Sequence, residues 1–501
     1  MQLHLDSGDD IAVITCDAAL TYCEANQERE FSNCAHCVGR AREGLRRLSR
    51  PVRVIKLSEL VIQAAPKLKG LRKLPREYRS FDELYQLRVD NFDIGAAVLS
   101  TINSVLEDPE PNPSAHRELT WVTLSASFAA YAALDRYLGE KPCDLFYLLN
   151  GRLANFRAAL RACQKHGVHC IVHERGCDHY SYSVAEDTMP HDPAHVEKYF
   201  AATLAKAESP AQKRRVAEEF YNERRQGKIA NWVSYTEDQI RGAVPDVWLQ
   251  SPTRIAVFSS TESEFACLRD YYPALIYPSQ IKGLELILRD LARNNFSGMF
   301  VVRMHPNCEN TKSDFTKQLR ALPYPFLRVI APEEKLDSYA LLQSAQKVLV
   351  WESTIGIEAA YWGIPSIVAG WAAYRGLGST YSPISHAEVM DLLLRPLEPK
   401  PIDGAIDYGF YSKNFGTRFK YVTPLGPFSA KFKGSEIHPT YPYKELVPEV
   451  ADRSKRWRRF FFNAWNRQRL NVIYRGHRFS PDPIRWLATQ EGKGLADKND
   501  A

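Results

Sequence analysis

Val350-Trp-Glu-Ser-Thr-Ile-Gly-Ile-Glu-Ala-Ala-Tyr-Trp-Gly-Ile-Pro-Ser-Ile-Val-Ala369 reads as the end of a buried strand, a small-residue turn, a helix and a second strand. The run Lys347-Val-Leu-Val350 that feeds it is apolar and β-branched. Ser353, Thr354 and Gly356 stand where the helix begins, so hydroxyls and amide N–H groups can converge there on an anion. Further along that helix comes Glu358, a carboxylate placed to accept hydrogen bonds from a ribose. Upstream, Val301-Val-Arg-Met-His-Pro-Asn307 ends another strand, and its alternate residues Arg303, His305 and Asn307 point the same way. The two strand ends together predict a site for a nucleotide-activated sugar.

Outward from this core the chain alternates strands and helices. Strand Arg254–Phe258 ends in the polar turn Ser259, Ser260, Thr261 and Glu262. Helix Ile281–Asn294, strand Met299–Met304, helix Ser338–Ala345, strand Lys347–Val350, helix Ile355–Trp362 and strand Ser366–Ala369 follow, the pattern of a doubly wound domain. The first half carries the same rhythm: strands Ile11–Thr15 and Val52–Lys56, helix Thr120–Leu138, strand Asp144–Leu149, a helix to His166 and strand His169–His173. Beyond Arg395 Pro, Gly, Tyr and Phe accumulate with little periodicity. The expected partition is an acceptor-side Rossmann-like domain over 1–240, a nucleotide-sugar-binding Rossmann-like domain over 241–395 and a C-terminal extension over 396–501.

Composition limits the function classes. A chain of 501 residues that is 45% hydrophobic is long enough for two cores. It has no apolar run of membrane-spanning length, and its polar, acidic start lacks the features of a signal peptide, so a cytoplasmic protein is expected. The net charge of +6 is local: Arg453 to Arg478 holds nine Arg and Lys and no acid, leaving the rest net negative. Trp457, Phe460, Phe461, Ala464 and Trp465 recur there at helical spacing. Such a cationic amphipathic helix suits peripheral docking on the inner membrane or a lipid-linked acceptor, or else packs back on the body. No recognition motif supports nucleic-acid binding.

When the bond between a sugar and a nucleotide breaks, negative charge collects on phosphate, and preorganised donors lower that barrier. Arg303 offers a two-pronged contact, His305 a further hydrogen bond, and Ser259 and Ser260 line the neighbouring strand end. The attacking hydroxyl needs a base. Asp17 and Glu174, each after a strand in the first half, are the candidates, with Asp178 and His179 behind them; Asp17 can alternatively cap a helix and Glu174 pair with an arginine. Asn150 and Arg152, at another strand end, are expected to hold the acceptor. No Asp-x-Asp motif stands at a strand end, so no cofactor is required for catalysis on this reading.

Arg303-x-His305-Pro306, Asp337-Ser-Tyr339 and Glu352-Ser-Thr-Ile-Gly-Ile-Glu358 followed by Gly363-Ile-Pro365 resemble the nucleotide-binding half of bacterial capsule and surface-polysaccharide glycosyltransferases. The resemblance implies an α/β fold of the GT-B type, two doubly wound Rossmann-type domains facing a cleft, and a role for His305, Ser353 and Thr354 at the nucleotide phosphate. It also implies transfer of a sugar from a nucleotide-activated donor, cytidine-monophosphate sugars among them, to a growing glycan or lipid-linked glycan. A nucleotide-sugar 2-epimerase and a non-catalytic glycan-assembly scaffold are the alternatives. Separately, Cys16, Cys23, Cys34 and Cys37 can ligate a structural zinc or an iron–sulfur cluster, or stand as independent thiols.

Overall fold

The computed structural model describes residues 1–29, 31–228, 238–272, 276–305, 315–426, 429–437 and 468. Pro306, Asn307 and all of the basic stretch 453–478 except Gln468 lie outside them. Two compact units result, one of Met1–Val105, Asn112–Val172 and the chain from Phe419, the other of Leu106–Pro111 and His173–Arg418. These units cut across the expected boundaries at 240 and 395. Among the described residues no helix is long and apolar enough to cross a membrane.

The first unit is rich in helix. Strands β1 (Ala12–Thr15) and β2 (Arg53–Lys56) pair in parallel. Helix Arg117–Glu140 packs along helix Ala154–His166, which joins β3 (Leu145–Leu149) to β4 (His169–Arg175). The long helix is legible over 120–138 as an uninterrupted run without Gly or Pro, although it is buried all round from Thr123 to Asp135 rather than along one face. Asp93 receives Arg157 and, at 2.8 Å, Arg161, both from helix Ala154–His166. Burial pushes the Asp93 carboxyl up, but the two guanidiniums outweigh it and hold it below the ordinary range.

Strand β4 pairs with β5 (Ser181–Glu186), which the sequence does not mark. The order of this sheet, β11-β5-β4-β3, is completed by the short antiparallel strand β11 (Thr417–Arg418).

The second unit is a doubly wound domain. Strands β6 (Arg254–Phe258), β7 (Met299–Arg303), β8 (Leu327–Ile330), β9 (Lys347–Val350) and β10 (Ser366–Val368) form a parallel sheet of order β10-β9-β6-β7-β8. That is the Rossmann order, with the direction of winding reversing between β6 and β9. Alternation along each strand feeds two cores. Ala256, Phe258, Val348 and Val350 face one side, with Leu341, Ile357, Ala360 and Ile406. Ile255, Val257, Leu349 and Trp351 face the other, with Leu284, Ile287, Leu291 and Val389. Helices cover both faces, which is why the strands read as unbroken apolar runs.

Two helices outside the expected nucleotide domain complete the first of these cores. Pro210–Arg225 and Asp403–Asn414 pack on each other, Tyr221 Oη donating to the Ala405 carbonyl at 2.6 Å. Gly409 permits the crossing, since a Cβ there would meet Tyr221 at 2.8 Å and Ala217 at 3.0 Å. The second helix went unnoticed because its Gly, Tyr and Asp residues give little amphipathic contrast.

Lys347, at the start of β9, is buried, and its Nζ donates to the carbonyls of Leu392 (3.0 Å), Leu393 (2.5 Å) and Arg395 (2.6 Å). It thereby satisfies the open carbonyls at the end of helix His386–Leu394. Lys347→Met, apolar and of similar length, strands those carbonyls and is expected to cost about 3 kcal/mol. Chemical denaturation should show a lower midpoint at unchanged slope; an unchanged midpoint would show that the three bonds contribute nothing net.

Candidate functional site

The carboxyl ends of the five parallel strands gather most of the residues singled out for nucleotide binding, all within the second unit. Side chains from the turn after β6 stitch this edge together. Ser259 Oγ accepts the His305 N–H at 2.8 Å, tying β6 to the end of β7. Ser260 Oγ accepts the Glu352 N–H at 3.1 Å, tying β6 to the end of β9. The second link spans the point where the winding reverses, the place at which open α/β sheets bind ligands. Gln280, buried at the start of helix Gln280–Arg293, completes the turn: its amide accepts from the Ser260 N–H at 2.9 Å and donates to the Ser260 carbonyl at 3.0 Å. Glu262 accepts the Gln280 N–H at 2.6 Å. Burial pushes its carboxyl up to about 8, so it is largely protonated at neutral pH.

After β9 the chain turns sharply. Ser353 Oγ reaches the Ile355 N–H at 3.4 Å, and the Ser353 carbonyl accepts from the Gly356 N–H at 3.0 Å and from Tyr374 Oη at 2.5 Å. These bonds use the N–H groups of 355 and 356 to form the turn. Those of Ser353 and Thr354 bond to no other described group. Gly356 has a steric role here: a Cβ would stand 2.5 Å from Tyr374 Oη and 2.6 Å from Val350 Cγ2. Only glycine lets the helix approach β9 this closely.

Two expected contacts take a different form. Glu358, placed by the sequence reading at a ribose, is fully buried, and both its carboxylate oxygens are bonded inside the protein. Oε1 accepts from Arg224 Nε at 2.7 Å and Oε2 from Tyr339 Oη. Arg224 Nη2 also donates to Thr354 Oγ1 at 3.0 Å. A carboxylate withdrawn from water needs such partners, and they leave it no oxygen facing a sugar. Arg303, expected to fork onto phosphate, is likewise buried and donates from Nη1 to the Ala331 carbonyl at 2.7 Å, joining β7 to β8. Arg224 was missed because it lies far upstream in a helix whose charged residues resemble a solvated face. The signal was there only in hindsight, as a buried Glu358 in search of a cation.

His305 sits at the end of β7, half-buried. Burial, reinforced by the Arg303 charge, lowers its pKa to about 4, so it is a neutral imidazole at physiological pH.

The first-half candidates also have inner partners. Asp17 accepts from Ser58 N–H at 3.0 Å and Ser58 Oγ at 2.5 Å, capping helix Leu57–Gln63, which is the alternative reading of this residue. Asn150 has φ of 62°, and its Oδ1 accepts from the N–H groups of Arg152 (3.0 Å) and Leu153 (3.3 Å) to shape the turn out of β3. Arg152 is buried and donates to Ser100 (2.9 Å) and Ser104 (3.2 Å). Glu174, in β4, accepts the Arg175 N–H at 3.0 Å. Nearby, Asp178 accepts the Tyr180 N–H at 3.0 Å and pairs with Arg418 at 3.3 Å.

Among the described residues no group of three or more His, Cys, Asp and Glu is placed to hold a metal ion. Cys16, Cys23 and Cys34 are near one another, but Cys37 is exposed on helix Phe31–Arg46. Burial, with neighbouring negative groups, pushes the Cys23 thiol up to about 12. Asn26 Nδ2 donates to Cys34 Sγ at 3.2 Å.

Against this geometry the comparisons are specific in one place. Residues 274–401 match the family described as Capsule polysaccharide biosynthesis protein. The capsule resemblance expected from the His305 and Ser353-Thr354 motifs is thus borne out over the segment that carries both. No curated protein matches the chain in sequence. Among solved structures, the KpsC beta Kdo 2,4 transferase of Thermosulfurimonas dismutans is 14% identical with a TM-score of 0.37, over 58% of this chain and 83% of that one. The KpsC beta Kdo 2,7 transferase of the same organism is 16% identical with a TM-score of 0.34, over 55% and 78%. The UDP-GlcNAc 2-epimerase of Methanocaldococcus jannaschii is 12% identical with a TM-score of 0.25, over 58% and 80%.

Two changes test the site's geometry. Gly356→Ala forces its Cβ against Tyr374 and Val350 and is expected to cost about 1–3 kcal/mol; thermal melting at unchanged midpoint would mean that the turn yields freely. Because the unfolded chain binds a proton at His305 near pH 6.5 and the native state only near pH 4, native stability falls as pH drops through that window. In His305→Asn the fall in melting temperature between pH 7 and pH 4.5 should be smaller than in the wild type. Equal falls would show that the imidazole is not held neutral.

Proposed function

We propose that this protein is a glycosyltransferase that moves a sugar from a nucleotide-activated donor to a growing capsule or surface polysaccharide. One observation carries the reading. The segment that matches the capsule biosynthesis family contains the strand end where Ser353 and Thr354 offer uncommitted N–H groups, beside the reversal between β6 and β9. Backbone donors fixed in this way bind phosphate without reorganising, and they bind best when charge develops on the leaving nucleotide.

The neutral His305 adds a hydrogen bond rather than a charge. Glu174 is the base we favour, since both Asp17 oxygens are taken up by Ser58. Its carboxylate would accept the proton of the attacking acceptor hydroxyl as the bond from the anomeric carbon to phosphate breaks. A lipid-linked acceptor and peripheral attachment through the basic stretch 453–478 fit the same activity.

The test is turnover of cytidine-monophosphate and nucleoside-diphosphate sugars by the full chain, with and without capsular oligosaccharide. Acceptor-dependent release of the nucleotide is expected. Epimerised donor formed without acceptor would replace this reading with the 2-epimerase, and nucleotide binding without turnover would replace it with the scaffold. With activity in hand, Glu174→Gln should lower kcat by two or more orders of magnitude, as loss of a general base does; unchanged kcat would remove Glu174 from that role.

A further inference from the structure

We propose that Arg224 is a phosphate-binding residue of the donor site, held in place by the buried Glu358. This rests on the glycosyltransferase reading and adds to it the cation that the sequence motifs do not supply. Helix Pro210–Arg225 brings the residue, in its last turn, to the turn after β9. Glu358 fixes Nε at 2.7 Å and Thr354 Oγ1 fixes Nη2 at 3.0 Å, so the plane of the guanidinium is set by two residues of the matched segment. Tyr339 holds the far oxygen of the carboxylate, so Glu358 itself cannot swing away.

The asymmetry of burial points outward. The Glu358 side chain is wholly inaccessible, whereas that of Arg224 remains 40% exposed. An arginine clamped on one edge with its other edge open is the arrangement that recognises a doubly anionic group, since five N–H donors lie in one rigid plane. The N–H groups of Ser353 and Thr354, next to the Thr354 hydroxyl that Arg224 grips, bond to no other described group. These donors make a phosphate site in which Arg224 supplies the positive charge, whereas Arg303 is buried with Nη1 on the Ala331 carbonyl and His305 is neutral. The ligand class is a nucleoside mono- or diphosphate; a free nucleoside lacks the group recognised.

The experiment is calorimetric titration of the full chain with CMP, UDP, cytidine and uridine, for the wild type, Arg224→Lys and Arg224→Gln. Arg224→Lys keeps a cation beside Glu358 and is expected to fold, which its melting curve checks; it loses the planar fork. The expected result is at least tenfold weaker binding of whichever nucleotide the wild type prefers, with the affinity for the matching nucleoside changed less than twofold. Arg224→Gln should weaken nucleotide binding further if it folds. Nucleotide affinity within twofold of the wild type in folded Arg224→Lys overturns this inference and leaves the glycosyltransferase reading standing. Absence of binding to either nucleotide by the wild type overturns both.

Discussion

A parallel sheet that is apolar on both faces has only its ends on which to place polar groups, and this constraint organises the second unit. Ile255 to Val257 and Val348 to Val350 are fully buried between two helical layers. Every backbone group inside is committed to neighbouring strands. Chemistry is therefore confined to the carboxyl edge, where the strands diverge and loops begin. The bonds of Ser259 and Ser260 to the ends of β7 and β9 hold that edge at fixed spacing before any ligand arrives. Such preorganisation is what electrostatic catalysis requires.

The buried carboxylate of Glu358 is the second fixed point. A carboxyl group at zero exposure is tolerated only with close partners, and Glu358 finds one in a helix remote in sequence. Helix Pro210–Arg225 and helix Asp403–Asn414 are thereby integral to the core of the second unit, although neither lies in the segment the sequence motifs define. Tyr221, stacked on Tyr361 at 3.9 Å between ring centroids and bonded to Ala405, packs the three helices against one another. The polar lock and the aromatic packing reinforce each other, since each sets the height of Arg224 over the turn after β9.

What could be read from the sequence follows from how local its cause was. The strands of the second unit are continuous apolar runs bounded by polar turns, and a single window suffices to see them. The turn at Ser353 is visible for the same reason, whereas the room that Gly356 makes for Tyr374, further along the chain, is not. Strand β8 and strand β5 escaped notice: Leu327–Ile330 is short and carries an arginine, and Ser181–Glu186 is half-polar. Side-chain roles were least legible. Arg303, Glu358, Arg152 and Asp17 look like ligand contacts in a string of letters, and only the folded chain reveals that each satisfies a buried or capping demand. A charged residue at a strand end serves either purpose, and the sequence does not say how deep it lies.

The central claim is that phosphate is received at the turn after β9, on the N–H groups of Ser353 and Thr354. A crystal structure of the full chain with CMP or UDP tests it directly. The account predicts phosphate oxygens within about 3 Å of both nitrogens, the ordinary N–H···O distance, at the edge between β6 and β9. A well-ordered nucleotide seated elsewhere, with those two N–H groups bonded to solvent or protein, would contradict it.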